Sequence, residues 1–286
     1  MALSEAVIDW IERMAGPGAH VTRVAEFPPS ATEKHLVELA GPLRLVLRRF
    51  HDEGRLGRDP WYVAEHEALA LRLLAGSAVP APRLIALAHA GDVCGTPAIL
   101  ETWLPGTPAW KPVDLDGHLA HAAAVLVAIH AVPLDPGLPR YAPYRKDRLA
   151  SPARTTRPDL WEEVGAILEG PLPAHRDTFI HRDYHPGNVL TDGVGVTGVV
   201  DWATAACGPP GIDLARMRVN LALHHGGAVA RSFAEAYVAA GGDAGARDPY
   251  WNLLDAADLL LDLPGNDRRD LALLETWAEG IVAEVR

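Results

Sequence analysis

The stretch from Phe179 to Trp202 constrains this chain more than any other. It runs Phe-Ile-His181-Arg-Asp183-Tyr-His185-Pro-Gly187-Asn188-Val-Leu, passes through a polar turn, and resumes as Gly198-Val-Val-Asp201-Trp202. Apolar runs on either side of a turn rich in Gly and Asp predict a β-hairpin. Asp183 then opens a tight Pro-Gly loop, Asn188 closes it, and Asp201 stands at the tip of the next strand. Two carboxylates and one amide converge on a small volume.

Hard oxygen donors of that kind suit Mg²⁺, which is usually held by one or two carboxylates together with substrate phosphates. In phosphoryl transfer an Asp accepts the hydroxyl proton, while an Asn further along the loop joins a second Asp on the metal. Asp183 and Asn188 show that spacing. The whole stretch resembles the catalytic loop of the aminoglycoside phosphotransferase and choline kinase-like family, small-molecule relatives of protein kinases. Val-Val-Asp201-Trp202 is similar to that family's metal-binding Asp, and Gly208-Pro-Pro-Gly-Ile-Asp213-Leu-Ala to its next landmark.

The resemblance implies a two-lobed, protein kinase-like α+β fold: an N-lobe antiparallel sheet with one helix over residues 1–104, then a mostly helical C-lobe over 105–286. It implies ATP and Mg²⁺ between them, with Asp183 as the base and Asn188 and Asp201 on the metal. His181 and Asp213 would brace the loop, and His185 would either support it or touch phosphate. Two other readings compete for the same residues. His181 and Asp183 with His224 or His225 would make a facial triad for non-haem iron. Gly193-x-Gly195-x-x-Gly198 matches a dinucleotide fingerprint by letter, but it precedes a strand where the fingerprint must follow one.

Charge narrows the partners. Lys and Arg number 26 against 37 Asp and Glu, a net charge of −11. No basic stripe offsets this, which speaks against nucleic acid and is compatible with a cationic small molecule. Cys94 and Cys207 have no framework spacing, so a reducing cytoplasm is expected. The first residues carry Glu5 and Asp9 rather than a basic and then an apolar region, so no signal peptide is expected. No apolar run reaches about 18 residues, so no membrane span is expected either.

Upstream, Ser4 to Met14 predicts an amphipathic helix, Val21 to Phe27 a first strand, and His35–Leu39 with Leu43–Phe50 a hairpin about Gly41-Pro42. A kinase-like fold needs a loop over the nucleotide phosphates between the first two strands. Here that loop is Phe27-Pro-Pro-Ser30-Ala-Thr32, without glycine, so the Ser30 or Thr32 hydroxyl is the substitute. This departure motivates a second hypothesis, a catalytically idle module that binds nucleotide or a metabolite as a sensor. By resemblance, Arg48 in Leu45-Val-Leu47-Arg48 takes the place of the phosphate-gripping lysine, and Glu67 is its partner on a helix starting at Asp59-Pro60. Thr96 to Gly106, with Glu101 and Trp103, is the lobe boundary whose backbone would bond adenine.

Helices follow over 115–132, 159–169, 213–223, 227–240, 249–263 and 267–285, with an irregular connection over 135–158. His130, near the end of the first of these, would prop the catalytic loop. By resemblance the acceptor pocket lies among the last helices. Asp255, Asp258 and Asp262 share one helical face there, and Trp251 offers cation–π contact. Such a pocket suits an aminoglycoside or another amine-bearing alcohol; choline, a macrolide sugar or an amino alcohol remain as alternatives. Oligomeric state is open.

Overall fold

A computed structural model describes residues 3–28, 32–51, 62–89, 92–143, 155–263 (apart from the Asp262 side chain) and 267–286. Ser30, the Asp59-Pro60 helix start and the Asp262 side chain lie outside these described residues.

Helix α1 (Glu5–Ala15) begins at Ser4, whose hydroxyl accepts from the Val7 N–H, and ends at Gly16, which takes φ +113°. Strands β1 (Val21–Glu26), β2 (Glu33–Leu39) and β3 (Arg44–Arg49) follow as an antiparallel meander. After α2 (Ala64–Leu74) come β4 (Leu84–Ala88) and β5 (Ala98–Thr102), giving one sheet in the order β1-β2-β3-β5-β4. Sequence pattern did not single out β4. Leu-Ile-Ala-Leu-Ala neither alternates in polarity nor carries a β-branched run, so its pairing with β5 supplies what local propensity lacks.

Register decides what each face of this sheet carries, because directly opposed residues point to the same side. His35, Leu47 and Leu100 form one rung, and they face α1 in a core that also takes Val7, Trp10, Ile11, Val37 and Leu45. The alternate rungs, Lys34–Arg48–Ile99 and Leu36–Val46–Glu101, face the other way, toward α2 and the rest of the chain.

Past β5 the chain is mostly helical. Strand β6 (Thr107–Pro108) leads to α3 (Leu115–His130), capped by Asp114, and then to α4 (Pro158–Leu168). Strand β7 (Thr178–Ile180) carries the chain to the hairpin of β8 (Val189–Thr191) and β9 (Val196–Val199). A 3₁₀ turn at Trp202–Thr204 precedes β10 (Ala206–Gly208), which pairs with β7. Helices α5 (Gly211–His225), α6 (Gly227–Ala239), α7 (Pro249–Asp262) and α8 (Arg268–Val285) complete the described chain. A second, larger core joins these helices to α2 and to Ile99 of the sheet. The antiparallel N-terminal sheet and helical remainder make the α+β arrangement expected from sequence. No described helix is long and apolar enough to cross a membrane.

Candidate active site

His181 to Asn188 connects β7 to β8, and Asp213 anchors it from the first turn of α5. One Asp213 oxygen accepts from the His181 N–H at 2.7 Å and the other from the Arg182 N–H at 2.6 Å. Those two bonds hold Arg182 in the left-handed region at φ +71°, a conformation that costs a non-glycine residue free energy and persists only when its surroundings over-determine it. His130 stands behind Asp213: its Nε2 lies 3.2 Å from Asp213 Oδ2 and its Nδ1 2.8 Å from the Tyr237 hydroxyl.

His181 is fully buried and its tautomer follows from its partners. The Asp183 N–H donates to Nδ1 at 3.2 Å, so Nε2 carries the proton and donates to the Val200 carbonyl at 3.0 Å. Burial lowers the His181 pKa, against the pull of Asp213 and Asp183, and so favours this neutral ring. The imidazole thereby ties the Asp183 loop to the residue before Asp201. Both of its nitrogens are spent on backbone, which removes it as an iron ligand. His224 and His225 instead approach Trp110, so the facial-triad alternative has no geometric basis.

Asp183 is held on three sides. Oδ1 accepts from Arg216 Nε at 3.0 Å, Oδ2 accepts from Asn188 Nδ2 at 3.1 Å, and His185 Nε2 lies 3.5 Å from Oδ2. Burial on its own would raise the Asp183 pKa, but Arg216 and then His185 overcome it and hold the carboxyl far below its ordinary range. His185 is oriented by the Gly187 N–H, which donates to its Nδ1 at 3.0 Å. Asn188 gives its other amide contact to the Asp183 carbonyl at 3.0 Å, so its nitrogen is fully engaged and its side-chain oxygen stays available. The Asn188 backbone carbonyl in turn accepts from the Val200 N–H at 3.0 Å, one residue before Asp201.

Asp201 also adopts a left-handed backbone, φ +69°. Its two oxygens meet two cations, Arg48 NH2 at 2.5 Å on Oδ1 and Lys34 Nζ at 3.0 Å on Oδ2. These contacts depress its pKa against the opposing effect of burial. Arg48 NH1 lies 3.1 Å from Glu67 Oε1, and the same oxygen accepts from the Trp202 N–H at 3.0 Å. Glu67 therefore joins α2, β3 and the Asp201 turn. Burial raises the Glu67 pKa against the pull of Arg48. Arg48 itself is only 2% exposed; burial would lower its pKa, but Asp201, Glu67 and Glu101 raise it well beyond the usual arginine range. The pairing with Glu67 matches the position expected from sequence. One NH2 of its fork meets the partly exposed Asp201 carboxylate, while its Nε has no hydrogen-bond partner among the described residues.

Asp201 and Asn188 oxygens are hard donors of the kind Mg²⁺ takes, and a carboxylate oxygen that accepts one hydrogen bond retains a further lone pair. The residues present fit such an ion. Glu101 is buried, its side chain turned into the charged cluster rather than outward. Trp103 donates its backbone N–H to the Arg44 carbonyl at 3.1 Å and carries the Arg44 guanidinium 5.0 Å over its ring.

Two residues that the sequence reading passed over sit at the centre. Lys34 could have been found by counting outward from the Gly41 turn, which sets it opposite Arg48. Arg216 follows Asp213 at helical spacing, but no local signal aims it at Asp183. On α7, Asp255 lies 3.7 Å from Arg216 NH1, and burial pushes its pKa up to about 6. Asp255 and Asp258 line a small cavity with Tyr141, Arg182, Ile212 and Leu254. A cavity of about 590 Å³ shares Tyr141 and Leu254 with it and is walled by Leu168, Leu172 and Tyr250. Trp251 departs from the expected cation–π platform: it is 1% exposed, with its indole against Gly211 and edge-on to His175 and Tyr250.

The model of the phosphotransferase enzyme family matches residues 30–251. No curated protein matches the chain in sequence. Among solved structures, macrolide 2′-phosphotransferase MphH from Brachybacterium faecium aligns at TM-score 0.64 and 21% identity, covering 90% of each chain. A thermostable mutant of aminoglycoside phosphotransferase APH(4)-Ia, in ternary complex with ADP and hygromycin B, aligns at 0.66 and 19%, covering 97% of this chain and 98% of that one. Macrolide 2′-phosphotransferase type I aligns at 0.59 and 18%, over 96% and 98%. At these identities the structural likeness concerns the fold.

Proposed function

Since the chain belongs to the phosphotransferase enzyme family, we propose that it moves the γ-phosphoryl group of ATP to a hydroxyl of a small molecule. The observation that carries this reading is Asp183: an ionised carboxylate, fixed by Arg216 and Asn188, on a loop bonded to the Asp201 turn. Asp183 accepts the hydrogen bond of the acceptor hydroxyl and takes its proton as the new O–P bond forms and the nucleoside diphosphate leaves. Its depressed pKa makes it a weak base, so the proton moves late and Asp183 acts chiefly by orienting the alcohol. Arg216 acts through Asp183 as a positioning residue.

Asn188 and Asp201 hold Mg²⁺, which when bound supplies charge neutralisation across the phosphate oxygens. Arg48, steadied by Glu67 and already beside Asp201, grips the α and β phosphates. His130, His181 and Asp213 keep the loop in register, and His185 supports Asp183 from the side. The hinge backbone around Glu101 and Trp103 takes the adenine.

For the acceptor, Asp255 and Asp258 support an amine-bearing alcohol, an aminoglycoside or a similar antibiotic or metabolite. The apolar walls of the adjoining cavity extend the range to a macrolide sugar.

An ADP-release assay across amine-bearing alcohols, paired with nucleotide titration calorimetry, tests this reading. D183A lowers turnover by about a hundredfold or more with nucleotide affinity little changed. Turnover within a few-fold of wild type removes Asp183 from this role. Nucleotide binding with no turnover on any acceptor establishes the idle sensor instead.

A further inference from the structure

Asp183 has different neighbours on its two sides. Through Oδ1 it meets Arg216 and, behind it, Asp255; through Oδ2 it meets Asn188 and His185. Beside His185 stands Trp110, with ring centroids 5.8 Å apart, and Trp110 lies 4.5 Å from the His224 ring of α5. The indole comes down on the catalytic loop because residue 187 is glycine: a Cβ there would stand 3.0 Å from Trp110 Cζ2. The backbone around it is held firmly. The Ala109 N–H donates to the Pro186 and Val189 carbonyls at 2.8 and 2.9 Å, and the Trp110 carbonyl accepts from His225 Nε2 at 2.9 Å. The side chain is nonetheless only half-buried, and its indole N–H has no hydrogen-bond partner among the described residues. Burial lowers the His224 pKa against the pull of Asp270, which favours a neutral ring beside the indole.

Resting on the phosphotransferase reading, we propose that Trp110 is a wall of the acceptor site and stacks on the ring that carries the reacting hydroxyl. An indole offers a flat apolar face together with one N–H donor. The C–H face of a sugar or cyclitol ring packs on such a surface, while a ring hydroxyl takes the N–H. A wall already fixed by its neighbours loses little freedom on binding, so its contact area converts well into affinity. The ring neighbours of Trp110 are His185 and His224, with Lys111 and His225 close by, so the indole suits an uncharged ring face and the ammonium is left to Asp255. An acceptor lying across Asp183 then turns an amine toward Asp255 and a ring toward Trp110. The class that fits both sides is an aminated ring alcohol, whereas a short acyclic amino alcohol has no ring to place on the indole.

The test is titration calorimetry of the full chain, saturated with Mg²⁺–ADP, against hygromycin B, kanamycin, erythromycin and the acyclic ethanolamine, with ADP release from ATP measured on the same set. The proteins are wild type, W110A, W110L and W110F. Wild type binds at least one of the aminated ring alcohols. W110A weakens that binding and raises the acceptor KM about tenfold, while the KM for Mg²⁺–ATP stays within about twofold and kcat changes less than the acceptor KM. W110L, which fills the space without a flat ring, shows the same loss and serves if W110A does not fold by circular dichroism. W110F keeps a ring and recovers most of the affinity. A residue that merely braced the catalytic loop would lower kcat and leave acceptor affinity unchanged. The assignment is overturned by wild-type acceptor affinity in W110A or W110L, by a loss of Mg²⁺–ATP affinity in place of acceptor affinity, or by a wild type that binds none of the ring alcohols. Ring-alcohol binding that depends on Trp110 without ADP release upholds the wall and overturns the phosphotransferase reading beneath it.

Discussion

Burial acts on the Glu101 carboxyl in a cluster already crowded with charge. The residue is 4% exposed, and Oε2 has no hydrogen-bond partner among the described residues. Desolvation first and the nearby Glu67 second push its pKa up to about 8, against the pull of Arg48. Because the folded value lies above the ordinary 4.5, the native state keeps a proton that the unfolded chain gives up. Stability from this group is therefore full below about pH 4.5 and is lost as pH rises toward 8. E101Q mimics the protonated form at every pH. Between about pH 6 and 9 the unfolding midpoint of the wild type falls relative to that of E101Q; parallel midpoints would mean the native carboxyl is already ionised. Glu101 also marks a limit of residue-level reading. Its strand position was evident from sequence, but whether its side chain turned outward or into the charged cluster depended on the register of β3 with β5.

At the level of elements, the junction of α5 with α7 shows why Trp251 escaped the sequence reading. On α7, Trp251 falls on the same face as Asp255, Asp258 and Asp262 at helical spacing, so polarity alone would turn it outward with them. The structure turns Trp251 inward because Gly211, at the first turn of α5, leaves room for the indole. A Cβ built on Gly211 would stand 2.2 Å from Trp251 Cδ1. G211A accordingly costs about 1–3 kcal/mol through overpacking, read as a lower urea midpoint with unchanged slope. A wild-type midpoint would show that the indole can step aside. By contrast, the β2–β3 hairpin was legible, because its turn residues and alternating polarity both act over a few positions.

Over the whole molecule, two cores lie on opposite faces of the sheet, and the charged cluster sits on the face of the larger. The smaller packs α1 on one face of the sheet, and the larger carries α2 and the C-terminal helices against the other. Glu67 ties the sheet to the rest of the fold, taking the Trp202 N–H as well as Arg48. A ligand bound at this junction stabilises the native state by mass action, about 2.7 kcal/mol at a hundredfold excess over its dissociation constant. Saturating Mg²⁺–ADP raises the melting temperature by several degrees and EDTA reverses most of the gain; an unmoved melting curve would count against a nucleotide site here. Sequence alone determined the short-range features: the spacing of Asp183 and Asn188, the turn at Gly41, and the apolar runs that become strands and helices. Tertiary structure decided that Lys34 joins Arg48 on Asp201, that Arg216 holds Asp183, and that Trp251 is core. Turn chemistry and periodicity act across a few residues, whereas Lys34 and Asp201 stand 167 positions apart and meet only once the sheet has packed on the rest of the fold.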